Sequence, residues 1–157
     1  MKVLVGDKVV TVNRGELKVY VANPRTLEAE AGLKEDEVKL DLELDKDYIQ
    51  AHKKLQDLVS DEAGRFKGDT QKNGASIGEE HNLELEIEKR IYKDIANDLE
   101  EILKESPKRV FLTINEEFAN EVLNEVDKTL QKKIAKVIKK DYVKLDKEEL
   151  LEKVNSQ

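Results

Sequence analysis

Two short segments near the start of the chain are rich in β-branched residues. Residues 8–12 read Lys-Val-Val-Thr-Val and residues 17–21 read Leu-Lys-Val-Tyr-Val, with a polar linker from Asn13 to Glu16 between them. Two such runs around a short polar linker are typical of a β-hairpin. Gly15 is the residue of this linker that can adopt a positive φ angle in the turn.

Two further segments have strand patterns of different kinds. Residues 40–44 alternate leucine with acidic residues, which predicts a strand with one face in water. Residues 110–114, Val-Phe-Leu-Thr-Ile, are apolar on both faces, as the central strands of a covered sheet are. Residues 25–37 fit a short helix or a loop, and residues 46–58 fit a short helix.

The clearest helix is predicted over residues 79–105. Its large aliphatic residues recur every three or four positions and form one stripe: Leu83, Ile87, Ile91, Ile95, Leu99 and Ile102. Ser76 and Glu79 have the spacing of a capping box at its start. Pro107 ends it, because the residue before a proline avoids helical backbone angles. We expect the stripe to pack on the sheet against Phe111.

The rest of the chain predicts mainly helices. Asn115 can cap a helix, a second helical stretch covers residues 128–136, and residues 137–145 fit either a helix or a strand. Asp146 can cap a last helix. Strands followed by helix, strand and helix indicate an α/β fold in which a mixed β-sheet is flanked by helices. We expect one domain over residues 1–157.

The composition excludes several classes of protein. The chain has no Cys, which excludes disulfides, thiol catalysis and cysteine-ligated metal centres. Aromatic residues make up only 4%, too few for a platform on which single-stranded nucleic acid stacks. No apolar run has the length of a membrane span, and no signal-peptide pattern is present. We therefore expect a cytoplasmic protein that does not insert into membranes; its oligomeric state stays open.

A lysine stretch is the sharpest electrostatic feature of this acidic chain, whose net charge is -7. It contains no acidic residue, and its lysines are Lys128, Lys132, Lys133, Lys136, Lys139 and Lys140. On a helix, most of these lysines would share one face. They could contact the phosphates of RNA. They could equally form a solvated helix face that balances acidic neighbours.

A polar, glycine-rich loop is predicted just before the long helix. Its candidate ligand-binding residues are Gly64, Arg65, Phe66, Lys67, Gly68, Lys72, Gly74 and Ser76. A cationic loop that leads into a helix N-terminus favours anions. The loop matches neither a phosphate-loop motif nor a dinucleotide-binding motif, so a plain connection is the alternative.

Catalytic or metal-binding groups are few. His81 and Glu84 have a spacing that could hold a metal ion, but an isolated pair of this kind more often consists of surface residues without a ligand. We expect no catalytic residue, no metal and no cofactor.

Three segments carry a family resemblance. They are residues 57–66, which lead into the loop, residues 84–91 in the acidic helix, and residues 134–145, which precede the last helix. In these segments the chain resembles the bacterial host attachment protein family, and the resemblance covers nearly the whole chain. The family name implies a role in attachment to host cells.

The host attachment family is similar in turn to the middle domain of archaeal and eukaryotic peptide-chain release factors. There a glycine-rich loop also precedes a long charged helix, and a later Leu-Gln segment resembles Leu130 and Gln131 here. The similarity implies a mixed sheet flanked by helices and a link to translation. The release factors carry a Gly-Gly-Gln motif whose glutamine helps to hydrolyse peptidyl-tRNA. Gln71 stands between Thr70 and Lys72 instead, so hydrolase activity is not implied.

Three hypotheses for function follow. The first is a non-catalytic module of release-factor-like fold that contacts RNA or the ribosome. The second is a protein-interaction module in host attachment or signalling, which would show an exposed apolar patch away from the lysines. The third is an esterase or nuclease, which would need carboxylates or histidines converging in a pocket.

Overall fold

The computed structural model describes the backbone of residues 1–48 and 76–157 and the side chains of residues 1–48 and 84–157. The candidate loop residues from Gly64 to Gly74 lie outside the described residues. So do most of the helix predicted over residues 46–58 and the side chains that would form the capping box.

Within the described residues, five strands form one mixed sheet in the order β3-β2-β1-β4-β5. Their bounds are β1 Lys8–Val12, β2 Glu16–Pro24, β3 Val38–Asp47, β4 Val110–Ile114 and β5 Ile134–Ile138. β2 is antiparallel to both β1 and β3, whereas β4 is parallel to both β1 and β5. This confirms the predicted α/β class with a mixed sheet.

Helices cover both faces of the sheet. Their bounds are α1 Leu27–Glu30, α2 Ser76–Glu105, α3 Ala119–Glu125, α4 Lys128–Gln131 and α5 Lys147–Ser156. Side chains of α2 and α3 form one buried apolar cluster with the sheet, and side chains of α5 form another. Among the described residues, no helix is both long enough and apolar enough to cross a membrane.

The β1–β2 hairpin is confirmed, but its turn is built by Asn13. The Asn13 side-chain oxygen accepts hydrogen bonds from the backbone N–H groups of Gly15 (2.9 Å) and Glu16 (2.8 Å). Asparagine commonly closes a turn by bonding the backbone two residues ahead. Positive φ angles occur, in the part of the chain that the structure describes, only at Gly6 and Gly32. Gly15 therefore does not use the positive φ that glycine allows.

The aliphatic stripe of α2 packs on the sheet as predicted, but its partner is not Phe111. The buried stripe residues are Ile87, Ile91, Ile95, Leu99 and Ile102. They share a cluster with Leu112 and Ile114, whereas Phe111 belongs to the cluster on the α5 side. Successive residues of a strand point to opposite faces, so the neighbours of Phe111 meet α2 and Phe111 itself does not.

In the part of the chain that the structure describes, strand β3 forms an edge of the sheet, and two of its leucines are exposed. Leu40 is 2% exposed, whereas Leu42 is 52% and Leu44 is 43% exposed. The pairing of β2 with β3 shifts register between Val19 and Tyr20, opposite this part of β3. The predicted strand is confirmed. Its apolar residues are buried only in the first half of β3, and the later leucines are exposed.

Residues 128–145 differ most from the prediction. The helix predicted over residues 128–136 ends at Gln131, and β5 begins three residues later. The parallel backbone hydrogen bonds with β4 outweigh the helical spacing of the lysines, since tertiary pairing overrides local preference.

The two predicted helix caps have different outcomes. Asp146 caps α5 through a 2.8 Å hydrogen bond that its side chain accepts from Glu149 N, as predicted. Asn115 accepts from Glu117 N in a turn, and α3 begins only at Ala119 without a side-chain cap.

Candidate functional site

The lysine stretch is divided between opposite ends of the sheet. Lys132 and Lys133 precede β5, and Lys139 and Lys140 follow it. Five residues of strand at about 3.3 Å per residue place roughly 17 Å between the two groups. The predicted single helical face of lysines is therefore wrong.

The lysines also differ in what they contact. Lys136 is half-buried, and its Nζ donates to the backbone carbonyls of Met1 (3.3 Å), Val154 (3.1 Å) and Gln157. Lys139 Nζ donates to the side chain of Asn120 at 3.0 Å. Lys128 and Lys140 are exposed. Lys136 thus bonds carbonyls at the C-terminal end of α5 and is not displayed to a partner.

Lys136→Glu should lower the free energy of unfolding by about 1–3 kcal/mol, because it removes donors from carbonyls at a helix end and places a carboxylate beside them. Lys132→Glu, at an exposed position of the same stretch, should change it by less than about 0.5 kcal/mol. Urea denaturation of both variants measures the difference. Equal effects would show that the Lys136 contacts do not stabilise the fold.

A pocket of about 570 Å³ lies at the end of the sheet where β4 and β5 begin. Four cationic side chains line it: Lys108, Arg109, Lys132 and Lys133. Two carboxylates, Asp7 and Glu35, also line it. The start of β4 supplies one pair of cations and the start of β5 supplies the other, so the parallel pairing of these strands brings them together.

Arg109 is held by a buried carboxylate. Its Nη2 lies 2.7 Å from Asp7 Oδ2 and its Nε lies 3.4 Å from Asp7 Oδ1, and Asp7 is only 2% exposed. The same Nη2 donates to the carbonyl of Lys2 at 3.0 Å, and the guanidinium lies 5.2 Å from the Phe111 ring centroid. The charge of Asp7 is therefore compensated within the pocket wall, and Arg109 has a defined position.

Lys133 is held by the end of α2. Its Nζ donates to the carbonyls of Leu103 (2.8 Å) and Ser106 (3.2 Å). The last carbonyls of a helix lack partners within the helix and carry partial negative charge, so a lysine there is favourable.

Lys108 lies against a glycine. Its Nζ donates to the carbonyl of Val5 at 3.0 Å. Gly6 has φ of +91°, and a Cβ at Gly6 would lie 2.8 Å from Lys108 Cδ. A side chain at position 6 would therefore displace the lysine stem as well as strain the backbone.

The pocket carries an excess of positive charge, since four cationic side chains and two carboxylates line it. It can therefore accept an anion. Sequence reasoning found Lys132 and Lys133 but missed Lys108 and Arg109. The sequence does contain a signal for the missed residues, because Lys108 and Arg109 form a basic pair between Pro107 and the buried strand β4.

A second cleft, of about 740 Å³, lies at the opposite end of the sheet. Arg14, in the β1–β2 turn, lies 3.5 Å from Glu88 and 3.9 Å from Glu117. Tyr92 stacks on Phe118 with ring centroids 5.2 Å apart, and burial raises the pKa of Tyr92. Glutamates outnumber cations in the lining, so this cleft is less suited to an anion than the first pocket.

Within residues whose side chains are described, no group of three or more His, Asp or Glu could hold a metal ion. The pair of His81 and Glu84 includes a side chain, that of His81, which lies outside the described side chains.

The fold and the pocket define an α/β protein in which a mixed sheet carries a cation-lined pocket at one end. The chain belongs to the family of proteins required for attachment to host cells, whose family model matches residues 9–154. This confirms the resemblance to the host attachment family. No curated protein and no solved structure matches the chain significantly. The similarity to release factors stays a prediction.

Proposed function

We propose that this chain is a non-catalytic binding module that contacts RNA, either free or within the ribosome. The contact surface is the end of the sheet around the cation-lined pocket. This basic surface consists of Lys108, Arg109, Lys128, Lys132 and Lys133. The observation that carries the proposal is the convergence of four of these cations on one pocket.

Clustering is what makes RNA binding physically reasonable for an acidic chain. A protein with net charge -7 is repelled by phosphates unless its cations are concentrated on one surface. Lys128 and Lys132 lie one turn apart along α4 and its C-cap, and both are exposed. Each lysine that meets a phosphate releases a counterion, which favours binding at low salt. The sequence resemblance to release-factor middle domains supports the same class of partner.

Replacing both Lys128 and Lys132 by glutamate should weaken binding to tRNA or ribosomes by at least about tenfold, since two attractive charges become repulsive. For wild type, the slope of log affinity against log salt should be about -0.7 per phosphate contact on single-stranded RNA, and the double variant should have a shallower slope. Titration of both proteins at two salt concentrations measures these quantities.

The matched control is Lys139→Glu with Lys140→Glu. It changes the same number of charges at two exposed positions of the same stretch, at the other end of the sheet. It should leave binding largely unchanged. Loss of RNA binding in this control alone would place the contact surface at the end of the sheet opposite the pocket. Binding that does not depend on salt in any of the proteins would contradict the RNA proposal. Thermal unfolding confirms that each variant is folded.

A second candidate function is a protein-interaction module in host attachment or signalling. The exposed leucines of edge strand β3, Leu42 and Leu44, favour it. An edge strand can accept a strand from a partner. A pull-down from cell lysate with and without RNase separates the two candidates. Partners that stay bound after RNase treatment and are lost in the Leu42→Lys variant support a protein contact. Partners that RNase treatment removes support RNA binding.

A further inference from the structure

We propose that the cation-lined pocket binds the phosphate monoester and nucleoside of one nucleotide. The source is a free nucleoside monophosphate or the phosphorylated end of an RNA chain. This inference rests on the proposed function, because it assigns the basic surface to phosphate recognition. It goes beyond the proposed function because it names one nucleotide as the bound group and the cation-lined pocket as its binding site.

The pocket has hydrogen-bond donors left over for an anion. Arg109 uses its Nε and Nη2 for Asp7 and Lys2, and its Nη1 has no partner among the described residues. The Nζ of Lys132, which also lines the pocket, likewise has no partner among the described residues. A lysine ammonium has three donors, of which Lys133 uses two and Lys108 uses one. The terminal oxygens of a phosphate monoester are charged acceptors, and each can accept from more than one of these donors.

Three of the four cations are held in place before any ligand arrives. Asp7 positions Arg109, the C-terminal carbonyls of α2 position Lys133, and the Val5 carbonyl beside Gly6 positions Lys108. Ordering a long side chain on binding costs about 0.5–1.5 kcal/mol, and a side chain that is already ordered avoids much of this loss. This arrangement distinguishes the pocket from a set of mobile surface lysines.

The remaining walls suit a nucleoside better than a bare phosphate. Apolar side chains from the N-terminal segment, the α2–β4 connection and β5 line them: Leu4, Val5, Pro107 and Ala135. A volume of about 570 Å³ lies within the range of roughly 300–1,000 Å³ that is usual for small-ligand sites. Inorganic phosphate would leave these walls uncovered, whereas a base and ribose would cover them. The carboxylate of Glu35 can accept a hydrogen bond from a ribose hydroxyl.

The test measures the binding of AMP, adenosine and inorganic phosphate to the full chain by calorimetry. We expect AMP to bind at least about tenfold more tightly than either fragment, because only AMP uses both the cations and the apolar walls. Lys132→Gln should weaken AMP binding about tenfold, the loss expected for one charge-assisted hydrogen bond. Ala135→Leu, which narrows the pocket without changing its charge, should also weaken it. Lys140→Gln, a charge change at an exposed position beyond the other end of β5, should not.

A second pair of probes is one short RNA with either a 5′-phosphate or a 5′-hydroxyl. Preference for the phosphorylated RNA identifies an RNA end as the ligand, and AMP binding without such a preference identifies a free nucleotide. Equal binding of both RNAs with no AMP binding would overturn the pocket assignment and leave the proposed function standing. AMP binding without any RNA binding would leave the pocket assignment standing and remove the proposed function.

Discussion

Ile91→Ala should lower the free energy of unfolding by about 2–5 kcal/mol, the usual cost of truncating a core aliphatic side chain. Ile91 is 2% exposed and lies near the middle of the α2 stripe that packs on the sheet. The loss combines the removed apolar contacts with the cavity left between the helix and the strands. Urea denaturation followed by circular dichroism measures it.

The matched control for Ile91 is on the same helix. Leu85 is 44% exposed, and Leu85→Ala should cost less than about 0.5 kcal/mol. Both substitutions leave alanine, a good helix former, so the difference between them reports burial and not helix propensity. Similar losses in the two variants would mean that the α2 stripe does not face the sheet.

Arg109→Ala should lower the free energy of unfolding by about 2–4 kcal/mol, because it leaves the carboxylate of Asp7 buried without its counter-ion. Asp7 is 2% exposed, and among the described residues its carboxylate would keep only the hydrogen bond from the Leu4 backbone N–H, at 2.8 Å. Adding Asp7→Ala to this variant removes the buried carboxylate that has lost its counter-ion. The double variant should therefore lose less than the sum of the two single losses.

An exposed ion pair provides the comparison for Arg109. Lys2 lies 3.9 Å from Asp36, and both side chains are at least half exposed. Lys2→Ala should cost less than about 1 kcal/mol, since water screens such a pair. Additive losses at Asp7 and Arg109 would show that the buried pair is not energetically coupled. Because Arg109 also supports the fold, a loss of binding in Arg109→Ala would combine lost stability with lost contact.

The sequence by itself determined the local elements whose patterns are strong. The β-branched runs of residues 8–12 and 17–21 predict the hairpin, and the apolar run of residues 110–114 predicts an interior strand. The stripe in α2 predicts a helix with one buried face, because every third or fourth residue lies on the same side. Asp146 predicts the start of α5, because a side-chain cap satisfies backbone N–H groups within one turn. The absence of Cys excluded thiol chemistry outright.

Tertiary structure alone decided which of these faces and charges meet. Phe111 and Leu112 are equally apolar, and only the position of α2 and α5 decides which side each one packs on. The lysine stretch has helical spacing, but pairing with β4 turns its middle into a strand and separates Lys132 from Lys139. The pocket joins cations from the starts of β4 and β5, and nothing local to either segment indicates the other. The candidate site therefore depends on pairing between strands that are distant in sequence. Local sequence patterns do not reveal which strands pair.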